Sequence, residues 1–199
     1  MKNYDVVIVG GGPAGVTCAI SAKNTYPDKK VVLIRKESKP LIPCGIPYTL
    51  NTLNNIDDDI LPDNPLIVNN IEIINAEVTG YVNKNLLLSN GNEVHYEKLV
   101  IATGSVAVMP PIQGAEKSGV LLVEKRRDYL ENLKSKIAAS EKIIILGGGY
   151  IGVEVADELL DLQKDITIVE MKDTLIPTMD DEFGKNVETI LLERGCKVI

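Results

Sequence analysis

The sequence predicts an α/β fold in which a Rossmann-like parallel sheet with an antiparallel meander is followed by the start of a second Rossmann-like domain. Two glycine-rich turns of the same G-x-G-x-x-G design, at residues 10–15 and 147–152, carry this prediction. Each turn follows a short apolar run, at 5–9 and 142–146, that is typical of a buried parallel strand, and each precedes a helical pattern. In that setting the turn binds the pyrophosphate of a dinucleotide at the positive end of the helix. Two such turns predict two nucleotides, and together they could align a flavin and a nicotinamide.

The first unit continues as a βαβ motif. Residues 14–25 are rich in small residues and predict a helix, and 30–35 predict the second parallel strand. A loop with several prolines follows at 40–47, and then a short helix at 48–53. We interpret the acidic run 57–59 as a solvated turn, because neighbouring carboxylates in one run do not easily converge on a metal ion.

The pattern then changes to short strands. Residues 77–82, 86–89 and 93–96 predict an antiparallel meander, in which Asn90-Gly91 is a strong hairpin turn. The apolar run 98–102 returns the chain to the parallel sheet.

Prolines and glycines between 109 and 119 predict the main domain boundary. A helix at 126–139 leads into the second unit, whose glycine turn is followed by a helix at 151–162 and a strand at 166–170. Another helix at 181–194 and a strand from 196 follow. The predicted domains are 1–110, the connecting segment and helix 111–140, and 141–199, the last being the N-terminal part of a domain that we expect to be truncated.

Composition excludes several classes of function. The chain has 199 residues, of which 45% are hydrophobic, and a net charge of -7, so it lacks the basic surface that nucleic-acid binding needs. The apolar run near the start is too short for a signal peptide or a membrane span, and we expect a cytoplasmic protein with no membrane role. Three cysteines and one histidine predict neither a disulfide framework nor a metal site.

The residue at the end of the second strand differs between the two units. In the second unit it is Glu170, where a carboxylate accepts hydrogen bonds from the adenosine ribose and repels a 2′-phosphate. This favours NADH, although nearby Lys172 leaves NADPH open. In the first unit the matching residue is Arg35. Either Glu37 binds the ribose from a shifted frame, or Arg35 itself stacks on or hydrogen-bonds the adenosine.

The three cysteines have different surroundings. Cys44 follows Pro43 in a proline-fixed loop where a helix is expected to begin, and the positive end of a helix stabilises a thiolate and raises its reactivity. By composition alone Cys44 is equally well an inert buried residue. Cys18 and Cys196 are expected to be structural, and His95 to face solvent or support the hairpin.

Four segments resemble, in order and spacing, those of the flavin-dependent pyridine nucleotide-disulfide oxidoreductases. They are 10–15, 43–48, 102–105 and 147–154, and the resemblance spans the chain. It implies an FAD-binding domain followed by an NAD-binding domain.

The cysteine pattern indicates one branch of that family. Glutathione reductase and lipoamide dehydrogenase carry a Cys-x4-Cys pair, whereas the position five after Cys44 is Thr49. A single redox cysteine followed by Gly-Ile resembles the branch of NADH oxidases, NADH peroxidases and coenzyme A disulfide reductases. The resemblance implies an enzyme that passes electrons from NADH through FAD and Cys44 to oxygen, peroxide or a coenzyme A disulfide or persulfide.

The resemblance also implies roles for individual residues. The FAD set comprises Gly10, Gly12 and Gly15 at the pyrophosphate with Pro13 and Ala14 beside them, Arg35 or Glu37 at the adenosine, Val78 at the adenine, Pro43 next to Cys44, and Ala102, Thr103 and Gly104 at the flavin side. The NADH set comprises Gly147, Gly149, Ile151 and Gly152 in the second turn, Tyr150 as the gate of the nicotinamide pocket, Glu154 as the residue that orients the nicotinamide, and Glu170 at the ribose. Lys23 is either a contact for coenzyme A phosphates or a solvated helix lysine.

One departure from the family concerns completeness. Relatives complete the FAD site with a later Gly-Asp segment and the active site with a dimerisation domain, and this chain has no Gly-Asp dipeptide. We therefore expect a fragment whose longer parent is a homodimer. Two alternatives remain open, a non-catalytic FAD- and NAD-binding module and a flavin reductase that needs no thiol.

Overall fold

The computed structural model describes residues 2–199, which form two compact units. Unit 1 comprises the described residues up to Pro43 together with Ile60–Val106, and unit 2 comprises Cys44–Asp59 together with Ala107–Ile199. The contacts thus group the segment that carries Cys44 with the second glycine turn. The predicted domain division at 110 and 140 stays a prediction.

Unit 1 is built on a six-stranded sheet in the order β3-β2-β1-β6-β5-β4. Strand β1 pairs in parallel with β2 and β6, and β2 pairs in parallel with β3, whereas β4, β5 and β6 form an antiparallel meander. This confirms the predicted α/β fold class with its meander. The strands are β1 Lys2–Val9, β2 Val31–Arg35, β3 Glu72–Asn75, β4 Val78–Val82, β5 Asn85–Leu88 and β6 Glu93–Ile101, and the helices are α1 Pro13–Thr25 and α2 Asn64–Val68.

Strand β6 differs from its prediction. The runs 93–96 and 98–102 were expected as two strands, but a single strand extends over Glu93–Ile101. Residues 94–101 of this strand pair in parallel with β1, and residues 93–95 also pair in antiparallel fashion with β5. One strand thus serves both the parallel sheet and the meander, because the backbone stays extended between the two predicted segments.

The core of unit 1 lies on both faces of the sheet. Every residue of β2 is buried, as expected for a central parallel strand. On one face Ile8 and Leu33 pack against Ala19 of α1, and the partly buried Cys18 joins this cluster, in agreement with its predicted structural role. His95 supports the hairpin as predicted, since its Nδ1 lies 2.8 Å from Oδ1 of Asn85 on the neighbouring strand.

Unit 2 contains a three-stranded parallel sheet in the order β7-β8-β9. The strands are β7 Lys142–Leu146, β8 Asp165–Val169 and β9 Lys197–Val198, and the helices are α3 Arg127–Ala138, α4 Tyr150–Leu160 and α5 Asp181–Glu193. Their order is the predicted one. Ile166 and Ile168 of β8 and Leu159 of α4 are fully or almost fully buried, and Cys196 is buried as well.

The segment that carries Cys44 corrects two predictions. It contains the short 3₁₀ helices Pro43–Gly45, Pro47–Leu50 and Ile56–Asp59. The predicted helix at 48–53 is therefore a single 3₁₀ turn, which begins at a proline and carries little dipole. The prediction of a solvated acidic turn is wrong for Asp59, which is buried.

Within residues 2–199 there is no helix that is both long and apolar enough to cross a membrane. The cytoplasmic location stays a prediction.

Candidate functional site

The first glycine turn connects β1 to α1, and close contacts explain its glycines. Gly10 has a φ of 125°, in the left-handed region, and its N–H donates to the carbonyl of Ile34 at 2.8 Å. A Cβ on Gly10 would overlap the carbonyl oxygen of Ala102, and a Cβ on Gly15 would overlap that of Gly10. A Cβ on Gly12 would meet no atom within 4 Å. The backbone at Gly12 is therefore open to an approaching ligand.

The start of α1 is suited to an anion. Gly12 occupies the N-cap position, and no side chain among residues 2–199 caps this end. Pro13 has no N–H, but the N–H groups of Ala14 and Gly15 lie in the first turn, where helical N–H groups have no acceptor within the helix. The first turn also contains no acidic residue. These groups can donate to a phosphate.

Arg35 closes β2 beside this turn, and its side chain is held inside unit 1. The side chain is 2% exposed and forms a two-bond ion pair with Asp63, with Nη1 to Oδ1 at 2.5 Å and Nη2 to Oδ2 at 2.8 Å. Nε donates to Asn75 Oδ1 at 3.0 Å, and Nη2 also donates to the carbonyl of Ser38 at 2.8 Å. A Cβ on Gly11 would lie 2.7 Å from both Cβ and Cδ of Arg35. The stem of Arg35 thus packs on the glycine turn while its guanidinium is occupied by protein acceptors.

The remaining residues of the FAD set belong to unit 1, and all but Pro43 lie at or just beyond a strand end. Glu37 is exposed and stands two positions after β2. Val78 is the first residue of β4 and pairs with Leu88. The N–H of Ala102 donates to the carbonyl of Val9 at 2.8 Å, and the exposed residues Thr103 and Gly104 follow it. Pro43 opens the first 3₁₀ helix. Their cofactor contacts stay predictions.

The second glycine turn repeats the geometry of the first. Gly147 has a φ of 100°, and its N–H donates to the carbonyl of Val169 at 2.8 Å. A Cβ on Gly152 would overlap the carbonyl oxygen of Gly147, whereas one on Gly149 would meet no atom within 4 Å. Gly149 is the N-cap of α4, and no side chain of the described residues 2–199 caps that helix.

Glu170 occupies in the second unit the position that Arg35 occupies in the first, since each follows the strand residue that accepts the hydrogen bond of the first glycine. Its Oε2 accepts the N–H of Gly148 at 2.6 Å, and its Oε1 accepts the N–H of Lys172 at 2.9 Å. These backbone donors, Gly148 first, hold the pKa of the Glu170 carboxyl below its usual range. The carboxylate is thus fixed and charged at neutral pH, and its further lone pairs can accept hydroxyl donors.

The other residues of the NADH set face solvent at the start of α4. Tyr150, Ile151 and Glu154 are exposed, and Tyr150 is the first residue of the helix. An exposed aromatic side chain beside an open glycine turn can move over a bound ring. The roles of Tyr150 as the gate of the nicotinamide pocket, of Ile151 in the glycine turn and of Glu154 as the residue that orients the nicotinamide stay predictions.

Cys44 is exposed and lies in the 3₁₀ helix Pro43–Gly45. The next 3₁₀ helix is fixed by Thr49, whose N–H and hydroxyl donate to the carbonyl of Ile46 at 3.1 and 2.7 Å. Thr49, the fifth residue after Cys44, is therefore a buried structural residue.

Helices α3 and α4 anchor this segment within unit 2. Nζ of Lys134 in α3 donates to the carbonyl of Thr49. Glu158 of α4 is buried and accepts the N–H of Thr52 at 2.7 Å and its hydroxyl at 2.8 Å. Through Glu158, helix α4, which begins at the second glycine turn, thus holds the segment that contains Cys44.

Sequence reasoning missed three acidic residues of these sites. Asp63 and Glu158 belong to no recognisable sequence motif. The available signals for Glu158 are its position one helical turn after Glu154 and the apolar residues Leu159 and Leu160 that follow it. Asp59 was hidden in an acidic run, where the apolar residues Ile60 and Leu61 that follow it are the available signal of burial.

The fold and the two turns define an α/β protein with a pair of dinucleotide-type sites and an exposed cysteine. The family model for pyridine nucleotide-disulphide oxidoreductases matches residues 4–199, and the chain belongs to that family. The resemblance drawn from the motifs is confirmed.

Individual relatives agree with this assignment. The chain is 32% identical over 206 residues to an NADH oxidase of Methanocaldococcus jannaschii, covering 97% of this chain and 46% of that protein. It is 33% identical over 205 residues to an NAD(P)H coenzyme A polysulfide/persulfide reductase of Pyrococcus horikoshii, covering 95% and 44%. The structure of an NAD-dependent persulfide reductase from A. fulgidus superposes with a TM-score of 0.85 at 27% identity, covering 99% and 39%. The chain thus spans less than half the length of these relatives.

Proposed function

We propose that this chain is the nucleotide-binding part of an FAD-dependent oxidoreductase that takes electrons from NADH and delivers them through a single redox cysteine, Cys44. The observation that carries the proposal is the repeated geometry of the two glycine turns, each with a left-handed first glycine and an open N-cap glycine. Two open helix ends accommodate two pyrophosphates.

The residues of unit 1 fit FAD. The open backbone of Gly12 and the N–H groups of Ala14 and Gly15 hold the pyrophosphate. Because the guanidinium of Arg35 is occupied by protein acceptors, the exposed Glu37 is the acid available for the adenosine ribose. Arg35 contributes indirectly, by packing its stem on the turn.

The residues of unit 2 fit NADH. Gly149 and the first turn of α4 receive the pyrophosphate, and the fixed carboxylate of Glu170 accepts the ribose hydroxyls. A carboxylate at this position repels the additional phosphate of NADPH. NADH is therefore the preferred donor.

Bound FAD supplies the acceptance of hydride from NADH and the transfer of two electrons to a sulfur bond. Cys44 supplies the sulfur. Its thiolate attacks an acceptor disulfide, so that a mixed disulfide forms at Cys44 and one thiol leaves. Two electrons and a proton then split this mixed disulfide, which releases the second thiol and restores Cys44. Against peroxide, the Cys44 thiol is oxidised to a sulfenic acid and one water is released. Two electrons and two protons then return the sulfenic acid to the thiol, with release of a second water.

The acceptor class is proposed from the relatives. One is named an NADH oxidase and another a coenzyme A polysulfide/persulfide reductase. We therefore propose a small sulfur compound such as a coenzyme A disulfide or persulfide, with oxygen or peroxide as the alternative oxidant. A homodimer of the whole protein belongs to the same proposal.

Steady-state consumption of NADH by the FAD-loaded protein tests the thiol role. Cys44→Ser is compared with Cys18→Ser, which makes the same chemical change at a partly buried core cysteine. We expect Cys44→Ser to abolish reduction of disulfide and persulfide acceptors and Cys18→Ser to retain it. Equal rates for both variants indicate a thiol-independent flavin reductase. Tight binding of both nucleotides without turnover by the native protein indicates a non-catalytic module.

A further inference from the structure

Asp59 is a buried carboxyl group that the proposed electron route does not use. It closes the 3₁₀ helix Ile56–Asp59 and is 3% exposed. Its Oδ2 has no hydrogen-bond partner among residues 2–199. A buried polar atom without a partner is costly, and such atoms are rare away from functional sites.

The carboxyl group of Asp59 lies directly against Gly45. A Cβ on Gly45 would overlap Oδ1 and would lie 2.6 Å from Cγ and 3.1 Å from Oδ2. A side chain at position 45 would therefore force the carboxyl group of Asp59 to move. Since Gly45 directly follows the exposed Cys44, the two Cα atoms are about 3.8 Å apart. The carboxyl group thus supports the backbone next to the thiol.

The other charged groups around this segment have partners. Asp58, on the same 3₁₀ helix, accepts the N–H of Asn55 at 3.1 Å. On α3, Arg127 forms ion pairs with Asp57 at 2.6 Å and with Glu131 at 2.7 Å. Lys134 of the same helix donates to the carbonyl of Thr49. On α4, Glu158 accepts the N–H of Thr52. Asp59 is distinguished from these groups by a buried carboxylate oxygen that has no partner among residues 2–199.

We infer that Asp59 is a positioning residue for Cys44, which fixes the backbone at Gly45 by packing and lowers the reactivity of the thiol when its carboxyl group is ionised. A negative charge near a thiol disfavours the thiolate, which is the reactive form. Burial raises the pKa of Asp59 to about 6, so this charge changes close to neutral pH. The inference deepens the proposed function and rests on it for its meaning in catalysis.

Modification of Cys44 by methyl methanethiosulfonate, followed by mass spectrometry of its peptide from pH 5 to 9, tests the charge effect. Asp59→Asn keeps the shape and removes the charge, and Asp58→Asn removes the same charge from the exposed neighbour. Above pH 7 we expect Asp59→Asn to react at least about threefold faster than the native chain, because the charge that disfavours the thiolate has been removed. The ratio should approach one at pH 5, and Asp58→Asn should stay within about twofold throughout. Equal behaviour of the two variants overturns the charge effect.

A double-mutant cycle tests the packing. Gly45→Ala should lower the urea midpoint of the native chain, because the added methyl group overlaps the carboxyl group of Asp59. In an Asp59→Ala background the same substitution should cost little, since the methyl group has room. Equal losses in both backgrounds overturn the packing contact. Neither measurement needs FAD or NADH, so their outcome is separate from that of the turnover assay for Cys44.

Discussion

The ion pair between Arg35 and Asp63 gives a quantitative prediction for the first nucleotide site. The substitution Asp63→Asn keeps the shape of the side chain but removes its charge and one acceptor. The Arg35 side chain is 2% exposed and that of Asp63 is 37% exposed, so the guanidinium loses its counter-charge in a buried position. Breaking a fully buried pair costs about 3 to 5 kcal/mol. The two bonds to Asn75 and Ser38 remain, and water screens the Asp63 side, so we expect about 2 kcal/mol.

Urea unfolding at pH 7, followed by circular dichroism, measures this loss. Glu77→Gln is the matched control, because its ion pair with Lys36 is exposed on both sides and should contribute less than about 0.5 kcal/mol. Asp63→Asn should also weaken FAD binding, because Arg35 packs on the glycine turn at Gly11. If Asp63→Asn unfolds at the same urea concentration as Glu77→Gln, the burial argument for Arg35 is wrong.

Three further predictions concern the second turn and the buried acid. Gly152→Ala should lower the free energy of unfolding by about 2 kcal/mol or more, because its methyl group overlaps the backbone of Gly147. Gly149→Ala should leave the urea midpoint nearly unchanged but weaken NADH binding, which titration calorimetry measures. Glu170→Gln should weaken NADH binding about tenfold and reduce discrimination against NADPH; unchanged affinities for both would contradict the ribose contact. Asp59 has a folded-state pKa of about 6, above its unfolded value, so stability should fall as pH rises from about 4 to about 6, by about 1 to 3 kcal/mol. Asp59→Asn should abolish that fall in pH-dependent urea unfolding, and persistence of the fall would assign it to another group.

Much of the fold could be predicted because local patterns and tertiary structure agree. The two glycine turns lie between apolar strands and helices, and the structure has both strands and both helices there. Strand β6 was harder, since its change of role from meander to parallel sheet depends on pairing with β1, which is distant in sequence. Helix α2 and strand β3 are too short to give a periodic signal.

The candidate site could likewise be predicted where its geometry is local, and not where it depends on contacts between distant parts of the chain. The open glycines and Glu170 follow from motif spacing, because the backbone geometry of such turns is local. The partners of Arg35 and the contact between Asp59 and Gly45 join residues from separate parts of the chain. An acidic run carries no information about which of its members is buried. Such contacts depend on tertiary packing and could not be predicted.

The two units place opposite charges at equivalent positions. Arg35 and Glu170 each follow the strand residue bonded to the first glycine of the turn. Arg35 turns inward to Asp63, whereas Glu170 bonds the backbone of the turn itself. The two turns are thus alike in backbone and different in the side chain at this position, as expected if they accept different nucleotides.

An anaerobic titration of the FAD-loaded protein with NADH, followed by its visible absorption spectrum, tests the central claim most directly. The account predicts a yellow protein whose flavin band bleaches with NADH and which gains a long-wavelength charge-transfer band, and it predicts that Cys44→Ser bleaches without that band. A protein that remains colourless after addition of FAD, or a band that persists in Cys44→Ser, would contradict it.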